Sequence, residues 1–355
     1  MRIGILSLPI HGNYGGVLQN FALYSVLKLR GYQVMTIDYK KAKHLRIKQA
    51  IFRLIRRCGG AFFVQYVARF NPKFALLYYI RDFADKYIEF SITLKSSKEL
   101  EMLSSEYDIF IVGSDQVWRK IFIYDDIGSY FLSFLVGKSQ KRFSYAASLG
   151  TDDIEYNAQE LKYINSLIKD FCGVSVREQS SISLIRDAMK WQCKEPQFTL
   201  DPTFLLEKED YLHLIREAKV KEPFSFNLFY YVLDINEEKE ERILNLADRL
   251  NLKPYTIYFS DKKKARQMIK QGLTPTVEQW LLCISHADFV VTDSYHGMVF
   301  SIIFNKQFLV WENKERGAAR FNSLLDILEI RNRFISLDDP VSIESMELID
   351  YEKVN

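Results

Sequence analysis

The first 39 residues predict a strand, a loop, a helix and a second strand, in that order. The strand at residues 3–8 is apolar, and the loop at 9–16 is rich in glycine. Residues 17–30 predict a helix whose apolar and small side chains share one face, and Gly31 fits its C-terminal cap. A second apolar strand spans 34–39. Because this β-loop-α-β unit is typical of a parallel, Rossmann-like sheet, we predict an α/β fold.

The glycine-rich loop contains Asn13, Tyr14, Gly15 and Gly16. It has neither the G-x-G-x-x-G pattern of dinucleotide-binding folds nor the lysine of a Walker P-loop. Asp38 ends the second strand, where an NAD-binding fold places its ribose-binding acid, but without the glycine fingerprint this is a weak signal. Two interpretations stay open: backbone N–H groups that bind an anion at a helix N-terminus, or a tight turn that needs glycine.

The stretch at residues 289–303 repeats this change from apolar to polar and back. Residues 289–291 are apolar, 292–297 are small or polar, and the sequence is apolar again from 298. This pattern predicts a buried strand, a tight turn and a buried helix. Open α/β sheets bind ligands beyond the carboxyl ends of their strands, so the turn would hold Asp293, Ser294 and His296 over a crevice. A lone histidine is more often structural, but its place on this loop makes His296 a candidate catalytic group.

Three other predicted strands, at 108–112, 142–147 and 173–176, also end in small, polar or charged residues, and residues 198–203 close the first half. The residues at these ends are Ser114, Asp115, Gln116, Ser148, Arg177 and Glu178. Any one of them is compatible with a helix cap. Together they predict a single crevice at one edge of the sheet.

The chain has 355 residues, which is long enough for two domains. We predict the linker in the polar, charged stretch 207–223. This places an N-terminal Rossmann-like domain at 1–220 and a C-terminal one at 221–355. The second domain has predicted strands at 224–233, 255–259 and 306–311, the turn with His296, and a C-terminal helix at 316–330.

Four widely spaced cysteines form no C-x-x-C pair, and the five histidines form no H-E-x-x-H motif. We therefore predict free thiols, no metal site and no cofactor. The N-terminus lacks a signal-peptide pattern, and no window reaches the roughly 18 uncharged apolar residues that span a bilayer. These features predict a cytoplasmic protein.

Six short stretches, in order along residues 1 to about 330, resemble the polysaccharide pyruvyl transferase family. They are GNYGG at 12–16 with Leu18 and Gln19 after it, VGSDQVW at 112–118, YAASLG at 145–150, VRE at 176–178, LDP at 200–202 and TDSYHG at 292–297. Each is weak alone, and the set is specific. The resemblance implies two Rossmann-like domains arranged as in the two-domain (GT-B) glycosyltransferases.

The resemblance also implies a reaction. The donor would be phosphoenolpyruvate, the acceptor a sugar, and the product a pyruvate ketal in exopolysaccharide or capsule synthesis, with phosphate released. In the family, the residues that match His296 and Arg177 belong to the donor site. The chemistry needs an acid, a base and cationic groups, so we assign His296 as acid and base and Arg177 as a bidentate anion clamp. Asp115 or Asp293 would orient His296 or the sugar hydroxyls.

One departure from the family concerns residue 294. Several relatives have Arg-Leu-His where this chain has Ser294, Tyr295 and His296. We therefore expect Arg320 or Arg316 to supply the missing cation. Beside the catalytic candidates His296, Asp293 and Asp115, the predicted substrate-binding residues are Arg177, Arg320, Ser294, Tyr295, Gly297, Asn13, Tyr14, Gly15, Gly16, Ser114, Gln116, Ser148 and Glu178.

A basic segment at residues 40–81 contains eleven Lys or Arg and no acidic residue. Part of it forms an amphipathic pattern, which is typical of an anionic membrane surface or a phosphorylated ligand and equally of a solvated helix that covers the first domain. With the resemblance, this predicts a polyprenyl-pyrophosphate-linked acceptor and peripheral contact with the inner membrane surface. The net charge of +3 and the lack of a nucleic-acid motif argue against nucleic acid as a partner.

Two other functions remain as alternatives. The same two-domain frame suits a glycosyltransferase that uses a sugar nucleotide, which would consume the nucleotide without phosphoenolpyruvate. A non-catalytic binding subunit of a polysaccharide assembly complex would tolerate the loss of His296.

Overall fold

The computed structural model describes residues 1–39, 72–123, 126–220, 225–257, 275–313, 317–336 and 347–354. Every strand pair in this part of the chain is parallel. The strands are β1 (Arg2–Leu6), β2 (Gln33–Thr36), β3 (Ile109–Val112), β4 (Lys141–Ser144), β5 (Ser175–Val176), β6 (Gln197–Phe198), β7 (Leu228–Tyr231), β8 (Pro254–Tyr255), β9 (Phe289–Thr292), β10 (Gln307–Trp311) and β11 (Phe334–Ile335).

The strands form two Rossmann-like halves, as the sequence predicts. The first sheet has the order β2-β1-β3-β4, and single bridges connect the end of β4 to the short pair β5-β6. The second sheet has the order β11-β10-β9-β7-β8. In each sheet the chain builds outward on one side and then returns to the other side. The order therefore reverses between β1 and β3 in the first sheet, and between β7 and β9 in the second.

Helices connect the strands and cover the sheets. They are α1 (Tyr14–Leu29), α2 (Pro72–Tyr87), α3 (Ser97–Leu103), α4 (Lys120–Ile123), α5 (Ile127–Tyr130), α6 (Ala158–Ile168), α7 (Gln179–Ser183), α8 (Lys208–Ala218), α9 (Glu237–Arg249), α10 (Val277–His286), α11 (Tyr295–Ile303), α12 (Ala319–Ile327) and α13 (Tyr351–Val354). None of the helices in the described ranges combines the length and apolar character that a membrane crossing requires.

Helix α1 begins earlier than predicted, at Tyr14 and not at residue 17. The Asn13 side chain caps it by accepting a hydrogen bond from the Gly15 N–H at 3.0 Å. The two glycines therefore lie in the first helical turn. Gly31, with a φ of +84°, ends the helix as predicted.

The segment predicted as a linker is not an open connection. Its residues 208–218 form helix α8, which packs against α10 of the C-terminal half. Tyr211, Leu214 and Ile215 are buried on one face of α8, which makes α8 an amphipathic helix. Its many charged residues led to the prediction of a linker. The predicted domain boundary at residue 220 stays a prediction.

The two halves share an apolar core at their interface. The ring of Tyr14, from α1, stacks on Trp280, from α10, with 5.2 Å between ring centroids. The Tyr14 hydroxyl also donates to the carbonyl of Pro275 at 3.1 Å. The predicted substrate-binding residue Tyr14 thus packs the N-terminal half onto the C-terminal half.

Several predictions fall on residues that the structure does not describe. They are residues 40–71 of the basic segment, residues 258–259 of the predicted strand at 255–259, and Arg316. The remaining residues of the basic segment, 72–81, lie in α2.

Candidate active site

A cavity of about 250 Å³ lies between the two halves, where both strand orders reverse. Ligands of open α/β sheets bind beyond the carboxyl ends of strands at such points. The wall comes from the loops after β1, β3, β7 and β9 and from four helices, α1, α4, α11 and α12. Its residues are Ser7, Leu8, Pro9, Ile10, His11, Asn13, Gly16, Val17, Gln19, Asp115, Gln116, Phe122, Leu233, Ser294, Tyr295, His296 and Arg320.

The N-termini of two helices meet at this cavity. Asn13 caps α1, and the Ser294 hydroxyl caps α11 by accepting from the Gly297 N–H at 3.4 Å. Both capping residues lie on the cavity wall. The unpaired N–H groups and the dipole at a helix N-terminus favour anions, so two such termini create a strongly anion-attracting site.

Gly297 is required by the packing behind α11. A Cβ at this position would lie 2.3 Å from Thr292 Oγ1. That hydroxyl donates to the Tyr231 carbonyl at 2.6 Å and accepts from the Ser294 N–H at 3.0 Å. Because residue 297 has no side chain, the Thr292 hydroxyl has room to connect the ends of β7 and β9 by hydrogen bonds behind the cavity.

The imidazole of His296 rests directly on Gly15. A Cβ on Gly15 would lie 2.0 Å from both Cγ and Nδ1 of His296, so the ring occupies the space that a side chain would fill. The sequence predicts a glycine here for a turn or an anion. The structure adds a different reason, because the N-terminal half must leave room for a ring from the C-terminal half.

Replacing Gly15 by alanine should therefore displace His296 and lower kcat about a hundredfold, the cost of a catalytic group moved by about 1 Å. The matched control is Gly12→Ala in the same loop, whose new Cβ would make an ordinary 3.5 Å contact with Leu76. Steady-state kinetics with thermal melting of both variants test this. Wild-type turnover in Gly15→Ala would contradict the position of the ring.

Asp201 joins Arg177 and His296 in one fully buried cluster. Its Oδ2 accepts from Arg177 Nη1 at 2.6 Å and lies 3.4 Å from His296 Nε2, an ion-pair contact more than an aligned hydrogen bond. Its Oδ1 accepts from the N–H and hydroxyl of Thr203. Burial opposes ionisation, but the charges of His296 and Arg177 outweigh it and hold the pKa of Asp201 well below its usual range.

From the sequence, Asp201 is predicted only as part of a family motif and not as a site residue. Its position before Pro202 is typical of a turn cap, and it does cap the turn at Pro202–Leu205. The second role depends on His296, which is 95 positions away in the chain. A signal was present, since LDP is one of the six family stretches.

Arg177 lies behind the cavity wall and not on it. The guanidinium is fully buried, 4.6 Å from the Tyr295 ring centroid, and its Nη2 lies 3.8 Å from Asp115 Oδ1. Burial alone would lower the pKa of Arg177, but Asp201 and the other nearby carboxylates raise it above its usual value. Arg177 therefore stays charged, and its predicted direct contact with the donor stays a prediction.

Arg320, which is predicted from the sequence as a substitute cation for the donor, does lie on the cavity wall. It is 8% exposed, and its guanidinium carbon is 5.5 Å from the Tyr295 ring centroid. Burial, and then the positive charge of Arg177, lower the pKa of Arg320 to about 10. Two cations thus share the Tyr295 ring, and an anion in the cavity would relieve their repulsion.

Asp115 projects into the cavity from a left-handed backbone conformation. Its φ is +73°, which costs a non-glycine residue about 1 kcal/mol and is concentrated at functional sites. The Asp115 carbonyl accepts from Val117 and Ser148, which holds this conformation. Asp115 is the one acidic residue on the cavity wall within the described ranges.

Asp293 is placed differently from the other predicted catalytic residues. Its Oδ1 accepts from the Leu233 N–H at 2.6 Å, and its Oδ2 from the Asp234 N–H and from Asn313 at 3.2 Å. Both oxygens thus hold the loop after β7. Asp201, and not Asp293, lies beside His296, and a role for Asp293 in orienting His296 stays a prediction.

Three predicted substrate-binding residues lie in the layer behind the wall. Ser114 donates to Asp201 at 3.4 Å, and Ser148 donates to Glu178. All three are fully buried, and burial raises the pKa of Glu178 above its usual value. They support Asp201 and Arg177 from behind. The structure brings no three His, Cys, Asp or Glu side chains together in a metal-binding group within the residues it describes.

Residues 13–315 match the sequence profile of the family described as polysaccharide pyruvyl transferase. The chain belongs to this family. The matched region contains Asn13 and the start of α1, Asp115, the Asp201 cluster and the turn with His296. No curated protein sequence matches the chain.

Solved structures with a similar fold include two UDP-GlcNAc 2-epimerases. The UDP-GlcNAc 2-epimerase of Methanocaldococcus jannaschii has a TM-score of 0.53 at 11% identity, over 100% of this chain and 90% of that one. The UDP-GlcNAc 2-epimerase of Neisseria meningitidis, bound to UDP-GlcNAc, has a TM-score of 0.51 at 10% identity, over 94% and 92%. At these identities the likeness shows the two-domain GT-B-like fold alone.

Proposed function

We propose that this family member transfers the pyruvyl group of phosphoenolpyruvate to two hydroxyls of a saccharide, forming a ketal and releasing phosphate. The observation that carries the proposal is the composition of the cavity wall. Two helix N-termini, Arg320 and His296 meet there, and Asp115 faces them. Such a wall suits a small donor that carries both a phosphate and a carboxylate.

His296 and Asp115 carry the protons that the reaction moves. His296 gives a proton to the methylene carbon of phosphoenolpyruvate, which makes C2 electrophilic. Asp115 takes the proton of the attacking sugar hydroxyl, and C2 becomes bonded to the acceptor oxygen. The second hydroxyl then attacks C2 and gives its proton back to His296. Phosphate leaves with the electron pair of its bond to C2 and takes up the proton held by Asp115, and the ketal closes. The Asp201 carboxylate lies 3.4 Å from Nε2 of His296, on the ring that gives the first proton.

The proposed acceptor is a saccharide of exopolysaccharide or capsule synthesis, carried on a polyprenyl pyrophosphate. The basic segment at 40–81 supports this lipid-linked form and a peripheral site at the inner face of the membrane. Acceptors with and without the lipid carrier would separate the saccharide requirement from the lipid requirement.

The experiment is phosphate release from phosphoenolpyruvate in the presence of lipid-linked galactose, glucose or N-acetylmannosamine. Acceptor-dependent release is the expected result. Consumption of a sugar nucleotide without phosphoenolpyruvate would favour glycosyl transfer on the same fold. Turnover of neither donor would favour a binding subunit.

Removing the Arg320 guanidinium should weaken donor binding more than it slows chemistry. We expect Arg320→Ala to raise the KM for phosphoenolpyruvate about 10- to 100-fold, the value of a charge-assisted hydrogen bond. Arg320→Lys should recover part of this loss. Arg331→Ala, an exposed arginine paired with Asp326, is the control. An unchanged donor KM in Arg320→Ala would remove Arg320 from the donor site.

A further inference from the structure

We propose that Phe122 and Gln116 form the acceptor subsite, in which the apolar face of a neutral hexopyranose ring stacks on Phe122 and a sugar hydroxyl binds Gln116. This inference rests on the proposed function for the identity of the reaction. It assigns the acceptor to one side of the cavity and the donor to the other.

Burial divides the cavity wall by depth. His296, Ser294 and Arg320 are only 4–8% exposed, so these three groups lie at its floor. Phe122, from α4, is 51% exposed and lies at its mouth. The donor anion belongs at the floor, and a second substrate must approach through the mouth.

Part of the mouth is apolar, beside the exposed His11 and Asn13. Phe122 shares it with the half-buried side chains of Leu8, Pro9 and Ile10, and with Leu233 from the other half. The apolar part of the rim has no group that binds a phosphate. It suits the C–H face of a pyranose ring, which loses water-exposed apolar surface when it stacks on an aromatic side chain.

Gln116 supplies a polar contact beside this apolar rim. It is buried on the cavity wall, and its Nε2 has no hydrogen-bond partner among the described residues. Its amide packs on Gly150, where a Cβ would lie 2.1 Å from Nε2. A buried amide without a partner is costly, so the free donor is accounted for when a sugar hydroxyl accepts from it.

Asp115 connects the two sides of the cavity. It precedes Gln116 in the chain, and its carboxylate lies close to Gly16 in the first turn of α1. A sugar held by Gln116 and Phe122 therefore presents its inner hydroxyls to the proposed base. Arg119 supports the platform, with its guanidinium carbon 5.9 Å from the Phe122 ring centroid and its Nε 3.5 Å from Glu155.

Acceptor kinetics of Phe122 variants test the proposal. Phe122→Ala should raise the acceptor KM about three- to tenfold and leave the KM for phosphoenolpyruvate unchanged. Phe122→Trp should retain wild-type acceptor KM. Ile121→Ala is the matched control, because Ile121 lies on the same short helix, is 53% exposed and is outside the cavity wall. An unchanged acceptor KM in Phe122→Ala, or an equal rise in Ile121→Ala, would overturn the platform.

Direct sugar binding separates this inference from the proposed function. Saturation-transfer NMR with methyl glycosides of galactose, glucose and N-acetylmannosamine requires no turnover. The expected result is transfer to the ring protons of at least one glycoside in the wild type, and a clearly weaker transfer at the same glycoside concentration in Phe122→Ala. If this result is found but phosphoenolpyruvate is not consumed, the acceptor subsite is supported and phosphoenolpyruvate is contradicted as the donor. No transfer to any of the three sugars would overturn the subsite itself.

Discussion

Replacing His296 by alanine is expected to lower kcat for phosphoenolpyruvate-dependent phosphate release about 100- to 10,000-fold, the range that general acid catalysis contributes. The ring lies on the cavity wall, against Gly15 and beside Asp201. Among the described residues, the other histidine on this wall is His11, which is exposed at the mouth. Donor binding should change less than turnover, because Arg320 and the helix N-termini remain.

The matched control is His213→Ala. His213 lies on the surface of α8, where its ring contacts Glu217, and the variant should keep wild-type rates. Circular dichroism and thermal melting would show that His296→Ala is folded. Turnover within a factor of about two of the wild type would show that His296 is structural, the more common role of a lone histidine.

Replacing Asp201 by asparagine is expected to have the largest effect on stability. Arg177 is fully buried and its shortest ion pair, 2.6 Å, is with Asp201. Removing one partner leaves an under-compensated buried charge, which typically costs about 3–5 kcal/mol of unfolding free energy. Activity should fall as well, because His296 loses its neighbouring carboxylate. Urea unfolding at neutral pH measures the stability effect.

The pH dependence of that loss has a definite sign. Because the folded-state pKa of Asp201 is depressed, its stabilising contribution is complete above the ordinary carboxyl pKa of about 3.9 and disappears as the pH falls through the folded value. The difference between wild type and Asp201→Asn should therefore be constant near neutrality and shrink below about pH 4. Asp187→Asn, an exposed carboxylate paired with Arg186, should leave the urea midpoint unchanged. Equal stability of the wild type and Asp201→Asn at neutral pH would contradict the stabilising ion pair between Asp201 and Arg177.

Local patterns in the sequence were sufficient to predict the frame of the site. The changes from apolar to polar residues after β1, β3 and β9 place Asn13, Asp115 and Ser294 at strand ends, and the structure brings all three to one cavity. This works because parallel strands present their carboxyl ends at the same edge. The pattern requires only the order of residues within each short segment.

Contacts between distant segments could not be predicted in the same way. The fit of His296 on Gly15 and the sharing of Asp201 by Arg177 and His296 depend on how the two halves pack. The sequence also does not show how deeply a side chain is buried behind the cavity wall. Arg177 and Arg320 are both arginines at a helix start, yet one lies behind the wall and the other on it.

The most direct test of the central claim is the fate of phosphoenolpyruvate labelled with carbon-13 at C2. We predict that NMR of the reaction with a saccharide acceptor shows the label as a ketal carbon bonded to two sugar oxygens, with one phosphate released for each ketal formed. If the label stays in phosphoenolpyruvate for every acceptor, or appears only as free pyruvate, the cavity does not perform pyruvyl transfer to a sugar.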